Sequence, residues 1–239
     1  MAKSGLLYTA ALSGALLLAG CNNSSSAPAP QPTGAVDVSQ VPAPPASDAD
    51  AKHSAFLAAA EPFENLTEQA PSATPAELQS LIAEAKKAGK AAMPALEMPA
   101  KLTLQAHLDG IDAAAKSDQR TKIALSAVEG YRTLVENASD TDRVPRAVSL
   151  LDYSGFRYQA DLSAQPVRWD DARQALDFAQ QQWSGIEMRV TDAALRKEFA
   201  DSLSAMADAA DKRDAAAARK AATAELDLVD KLEGFFAKP

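Results

Sequence analysis

Cysteine, histidine and aromatic residues are scarce in this chain. The 239 residues include one cysteine and two histidines, and aromatic side chains make up 5% of the total. A single cysteine excludes an intramolecular disulfide, and so few histidines leave little material for acid–base catalysis or metal binding. The glycines are spread singly and form no phosphate-binding loop, and no serine lies in a Gly-x-Ser-x-Gly motif. We therefore expect a protein that is not an enzyme.

Positively charged residues are also fewer than negatively charged ones. Lysine and arginine number 24 against 32 aspartates and glutamates, which gives a formal net charge of −8. An acidic chain is repelled by phosphates, so we expect no nucleic-acid partner. Hydrophobic residues reach 47% and alanine is abundant among them. This composition favours helices packed through small side chains over a β-sheet fold.

The N-terminal segment has the pattern of a secretory signal. Lys3 is followed by an uncharged, apolar stretch from Gly5 to Leu18. At about 14 residues this stretch is shorter than the ~20 needed for a membrane-spanning helix, so a processed signal is the better interpretation.

The end of that stretch, Leu18-Ala19-Gly20-Cys21, resembles the lipobox of bacterial lipoproteins. In that family the cysteine is acylated and becomes the mature N-terminus, which implies a signal peptide over residues 1–20 and a covalent lipid on Cys21. Asn22 and Asn23 follow, as in lipoproteins that are sent to the outer membrane. The resemblance implies a chain anchored to a membrane of the cell envelope through its lipid, at the outer membrane and facing the periplasm. Acylation also occupies the only thiol.

Residues 21–50 are rich in proline, alanine and serine and contain almost no large apolar side chain. Such a segment cannot bury enough surface to fold, so we predict a disordered tether with a reach between ~30 and ~90 Å. Residues 51–74 are predicted to be transitional, with a short helix and then an irregular strip docked on the domain. The helical bundle domain is predicted over residues 75–239.

Helix signals begin at Thr74-Pro75-Ala76-Glu77, a capping box that predicts a helix over 75–90. Further along the chain, apolar residues recur every three or four positions and are separated by short polar turns, which predicts six to seven helices in all. Short turns require antiparallel neighbours, so the expected fold is all-α, an up-and-down bundle resembling a four-helix bundle. The predicted stripes begin at Leu104, Ala124, Val144, Ala172, Leu195 and Ala221, and the last one continues through Ala224 and Leu228. Thr191-Asp192 is predicted to cap the helix that carries the Leu195 stripe.

Gly155 interrupts one of these stripes, between Leu151 and Tyr158. Glycine in a helix interior costs roughly 1 kcal/mol relative to alanine. Its missing side chain allows the close approach of either another helix or a ligand, and we expect a helix.

The residues Tyr153, Arg157 and Asp161 follow one another at spacings of four. This spacing predicts an exposed or half-exposed edge, with an Arg157–Asp161 pair that contributes only ~0.2 to 0.5 kcal/mol. Aromatic residues beside arginine are typical of protein interfaces. Tyr153 and Arg157 are therefore candidate partner-binding residues.

Neither histidine belongs to the Glu-x-x-His pattern of helical metal sites, so we predict no metal site and no cofactor besides the lipid. Met98 and His107 are candidate ligands for an alternative function, a periplasmic bundle that binds haem, copper or iron. The favoured function is a non-enzymatic, lipid-anchored helical module of the cell envelope that binds or scaffolds a periplasmic protein or cell-wall partner.

Overall fold

The computed structural model describes residues 48–140 and 144–238, so the signal, Cys21 and the predicted tether up to residue 47 lie outside the described residues. Residues 48–50, predicted as the end of the tether, belong to the first helix. The described part is all-α, as predicted, with antiparallel packing between neighbouring helices. None of its helices is both long and apolar enough to cross a membrane. Its eight α-helices are α1 Asp48–Gln69, α2 Pro75–Ala92, α3 Met98–Ala115, α4 Arg120–Asn137, α5 Arg146–Leu162, α6 Trp169–Ile186, α7 Ala193–Asp211 and α8 Ala215–Phe236.

The first helix corrects the sequence-based prediction for residues 51–74. We expected a short helix and an irregular strip, but α1 is 22 residues long. Its side chains Phe56, Phe63 and Leu66 are at most 2% exposed, and the helix packs on α2 and α4. The bundle therefore includes α1, which accounts for eight helices where six to seven were expected. Pro62 lies inside α1 and obscures its pattern, because proline usually ends a helix.

The residues predicted to begin two of the helices do so in the structure. The backbone N–H of Glu77 donates to Thr74 Oγ1 (3.4 Å), and the backbone N–H of Thr74 donates to Glu77 Oε2 (2.8 Å). This capping box begins α2 at Pro75, and the helix extends two residues past the predicted end. Asp192, also predicted as a cap, accepts hydrogen bonds from two backbone N–H groups of α7.

Helix α5 lies at the centre of the bundle and is buried almost all round, with 13 of its 17 residues buried. One face joins a core formed by α1 to α4, and the opposite face joins a second core formed by α6 to α8. A helix that is apolar on only one side could not fill this position. The first face includes Leu150, Tyr153, Phe156 and Ala160; the second includes Val148, Leu151, Tyr158 and Leu162.

Candidate functional site

Helix α8 approaches α5 closely at Gly155. A Cβ placed on Gly155 would overlap the Oε2 atom of Glu225 and would lie 2.6 Å from Leu226 Cδ2. The expected close helix approach is therefore confirmed. The side chain that occupies the space is a carboxylate, which the sequence pattern did not reveal.

Glu225 is 0% exposed, and neither of its carboxylate oxygens has a hydrogen-bond partner among the described residues. A buried polar group without a partner normally costs stability. Burial raises the pKa of Glu225 well above its usual value, and repulsion from Asp152 adds to the effect. Glu225 thus belongs to a group of carboxylates that extends beyond α8.

That group surrounds a cavity of about 260 Å³ at the junction of α1, α5 and α8, here called the acidic cavity. Five carboxylates from the three helices line it, together with two apolar and two uncharged polar side chains. None of these lining residues in the described part of the chain is a lysine, arginine or histidine. The lining consists of Glu64, Glu68, Asp152, Phe156, Gln159, Thr223, Leu226, Asp227 and Asp230.

Asp152 lies deepest among the carboxylates of the acidic cavity. It is 9% exposed, and it makes no hydrogen bond or ion pair within the described residues. Burial raises its pKa well above the usual range, and repulsion from Glu64 and Glu233 raises it further. Burial and then repulsion from Glu233 raise the pKa of Glu64 to about 7. The cavity therefore brings carboxyl groups together with no positive side chain lining it among the described residues, and their raised pKa values favour the neutral, protonated form until a cation binds.

The predicted exposed or half-exposed edge is wrong for Tyr153 and Asp161, whereas Arg157 is partly exposed, with 18% of its side chain accessible. Tyr153 is 4% exposed, and its hydroxyl donates to Glu129 Oε1 (3.0 Å). Asp161 is fully buried. The reason is the central position of α5, which leaves only Arg146, Ala147, Arg157 and Gln159 of this helix partly exposed. A binding role for Tyr153 and Arg157 stays a prediction, but Tyr153 offers a partner almost no accessible surface.

These residues belong instead to a network of ion pairs. Arg157 contacts Glu129 on α4, and its Nε donates to Asp161 Oδ2 at 2.8 Å. Arg168 Nε lies 3.2 Å from the other oxygen of Asp161 and 3.0 Å from Asp171 Oδ2. Burial raises the pKa of Asp161, while the hydrogen bond from Arg157 opposes this rise. The Arg157–Asp161 pair is thus part of a network that extends from the buried Asp161 to the exposed Arg168, and it is not an isolated exposed helix pair.

Met98 and His107 do not form a shared metal site. They are nine residues apart on α3, which separates them by about 13 Å along the helix axis. Met98 is 62% exposed. His107 instead lines a cavity beside Arg157 and Glu129, and burial lowers the pKa of its imidazole. Among the described residues, no group of three histidine, cysteine, aspartate or glutamate side chains is arranged to hold a metal ion.

Sequence reasoning missed the acidic cavity, although one signal pointed to it. The predicted stripe on α8 ran through Ala224, but Ala224 is exposed and Glu225 takes the buried position. Glu225 lies three residues before Leu228 and four before Val229, both buried. A glutamate at an apolar position of a helical stripe is the signal that could have identified the site.

No protein-family model matches this chain, and neither a curated protein nor a solved structure matches it.

Proposed function

We propose that this chain is a non-enzymatic, lipid-anchored module of the bacterial cell envelope. In this proposal Cys21 carries the lipid, the outer membrane holds the lipid, and residues 22–47 form a tether that lets the helical bundle face the periplasm. The bundle binds a periplasmic or cell-wall partner through positive charges on that partner. The acidic cavity is the binding site.

One observation carries the binding part of this proposal: Asp152 and Glu225 are buried carboxylates without partners in the described part of the chain. An isolated charge is costly to remove from water, so burial keeps these two carboxyl groups in the protonated form, and a bound cation would favour their ionised form. Asp152 also lines an open cavity, so a cation from outside the chain has access to it. A cationic partner would supply the missing charge.

The anchor is tested by replacing its attachment point. Cys21→Ser should abolish incorporation of labelled palmitate and release the chain from the membrane fraction, or leave it unprocessed. Ser26→Ala, five residues further along, is the matched control and should keep the label. Continued labelling of the Cys21→Ser protein would reject the lipobox assignment.

Binding of cations is tested by thermal unfolding of the full chain at low ionic strength, where electrostatic attraction is least screened. Spermidine, a lysine-rich peptide and magnesium are added separately to the wild type and to Asp152→Asn. The proposal expects at least one of them to raise the melting temperature of the wild type, because a ligand that binds only the folded state stabilises it. The rise should shrink in the variant. An unchanged melting temperature with all three cations would contradict the binding function.

A further inference from the structure

The carboxylates around the acidic cavity form two rows. On α1, Glu61, Glu64 and Glu68 follow at spacings of three and four, which places them along one face over about 10 Å. On α8, Asp227 and Asp230 line the same cavity. Asp152 of α5 lines the same cavity and is the most buried of its carboxylates. The negative charge is therefore extended along two helices.

This distribution does not suit a single metal ion. Hard divalent cations require several oxygen ligands that converge at 2.0 to 2.6 Å, roughly, from one point. No three carboxylates of the described residues converge in this way. An ion at any one position would leave most of these carboxylates without a partner.

The cavity also has an apolar component. Phe156, which is 8% exposed, and the partly buried Leu226 line it beside the carboxylates. Gln159 Nε2 lies 3.4 Å from Thr223 Oγ1, to which it donates, so the amide oxygen of Gln159 is free to accept another hydrogen bond. A suitable occupant has ammonium groups for the carboxylates and apolar segments for these two side chains.

We infer that the acidic cavity binds a linear aliphatic polyamine, an inference that rests on the proposed function. Its ammonium groups form charge-assisted hydrogen bonds with Asp152, Glu64 and the rim carboxylates. The methylene segments between them contact Phe156 and Leu226, and an ammonium near the ring of Phe156 gains a cation–π contribution. The volume of about 260 Å³ lies just below the range of roughly 300 to 1,000 Å³ that is typical of small-molecule pockets, which fits a small ligand.

The test is a calorimetric titration of spermidine into the full chain at about pH 8, where Glu64, with a pKa of about 7, is largely ionised. We expect saturable binding at one site, with release of protons because a bound cation lowers the pKa values of the carboxylates. Asp152→Asn should weaken binding about tenfold or more. Glu68→Gln, at the exposed rim, should weaken it less and does not alter the buried core.

Two controls make the result specific. Glu198→Gln changes an exposed carboxylate on α7, outside the cavity, and should bind spermidine like the wild type. Butylamine has a single ammonium group and should bind much more weakly than spermidine at matched ionic strength.

The outcomes separate the two proposals. Spermidine binding that is unaffected by both Asp152→Asn and Glu68→Gln would overturn the inference. Binding of a lysine-rich peptide but not of spermidine would overturn the polyamine and leave the cation-binding function standing. If neither spermidine, nor the peptide, nor magnesium binds, both proposals fail.

Discussion

Helix α5 carries two buried aspartates whose neighbouring side chains are of opposite charge. Asp161, which is fully buried, contacts Arg157 and Arg168. Asp152, nine residues earlier and 9% exposed, faces other carboxylates. The same helix thus neutralises one buried acid within the chain and leaves the other without a counter-ion among the described residues. The comparison indicates that the unpaired charge is a property of one site and not of the whole bundle.

Removal of Arg157 should have the largest effect, because it would make the Asp161 region resemble the Asp152 region. Arg157→Met leaves Asp161 and Glu129 with less positive charge, and breaking a buried pair typically costs about 3 to 5 kcal/mol. Urea unfolding should show this loss. This expected loss replaces the ~0.2 to 0.5 kcal/mol that the sequence pattern predicts for an exposed Arg157–Asp161 pair.

The matched control for Arg157→Met is Lys197→Met. Lys197 also pairs with an aspartate four residues later, but its side chain is 75% exposed. An exposed pair contributes ~0.2 to 1 kcal/mol. Equal losses in the two variants would show that burial of the Arg157 network has no energetic consequence.

Gly155→Leu should have the next largest effect, because it forces a side chain against Glu225 and Leu226. Overpacking of this kind costs ~1 to 3 kcal/mol, and the overlap of even a Cβ favours the upper end. Gly185→Ala is the control, since nothing lies within 4 Å of a Cβ at that position. Alanine there should stabilise α6 by up to about 1 kcal/mol. A Gly155→Leu protein that melts like the wild type would contradict the contact between α5 and α8.

The contribution of Glu64 to the pH dependence of stability should be the smallest of these effects, and it measures the unpaired region most directly. The pKa of Glu64 is raised from 4.5 to about 7, so between these values the folded protein holds a proton that the unfolded chain releases. Stability should therefore fall as the pH rises from about 5 to about 8, by on the order of 2 kcal/mol for Glu64 after allowance for solvent screening. The raised pKa values of Asp152 and Glu225 act in the same direction.

Glu64→Gln tests this contribution because glutamine cannot ionise. Its stability should fall less steeply with pH than that of the wild type, as measured by unfolding at a series of pH values. Glu84→Gln, at an exposed position on α2, should keep the wild-type slope. Identical slopes for all three proteins would contradict a raised pKa at Glu64.

The sequence was most informative where structure depends on neighbouring residues. Thr74, Glu77 and Asp192 act within one helical turn, and their capping roles were predicted correctly. Pro62 shows how local reasoning fails, because the tertiary contacts of Phe56 and Phe63 hold α1 together across a residue that normally ends a helix. Tertiary packing outweighs local propensity in such a case.

The environment of the charged residues was harder to predict. The Arg157–Asp161 contact lies within one helix and was expected, whereas Glu129 is 28 residues from Arg157 and joins it only after α4 and α5 pack together. The burial of Tyr153 and Asp152 has the same origin, since polar residues on a helix usually indicate a solvent-facing side. The central position of α5 is a property of the assembled bundle, and no local sequence pattern within α5 predicts it.

The position of α5 also bears on how the molecule unfolds. Each core draws side chains from this one helix, so neither α1 to α4 nor α6 to α8 keeps its interior intact once α5 leaves. Loss of either set of helices likewise exposes a large apolar face of α5 to water, which is unfavourable. The two halves are therefore thermodynamically linked, and the bundle should denature as one cooperative unit, with hydrogen exchange slowest at the amides of α5.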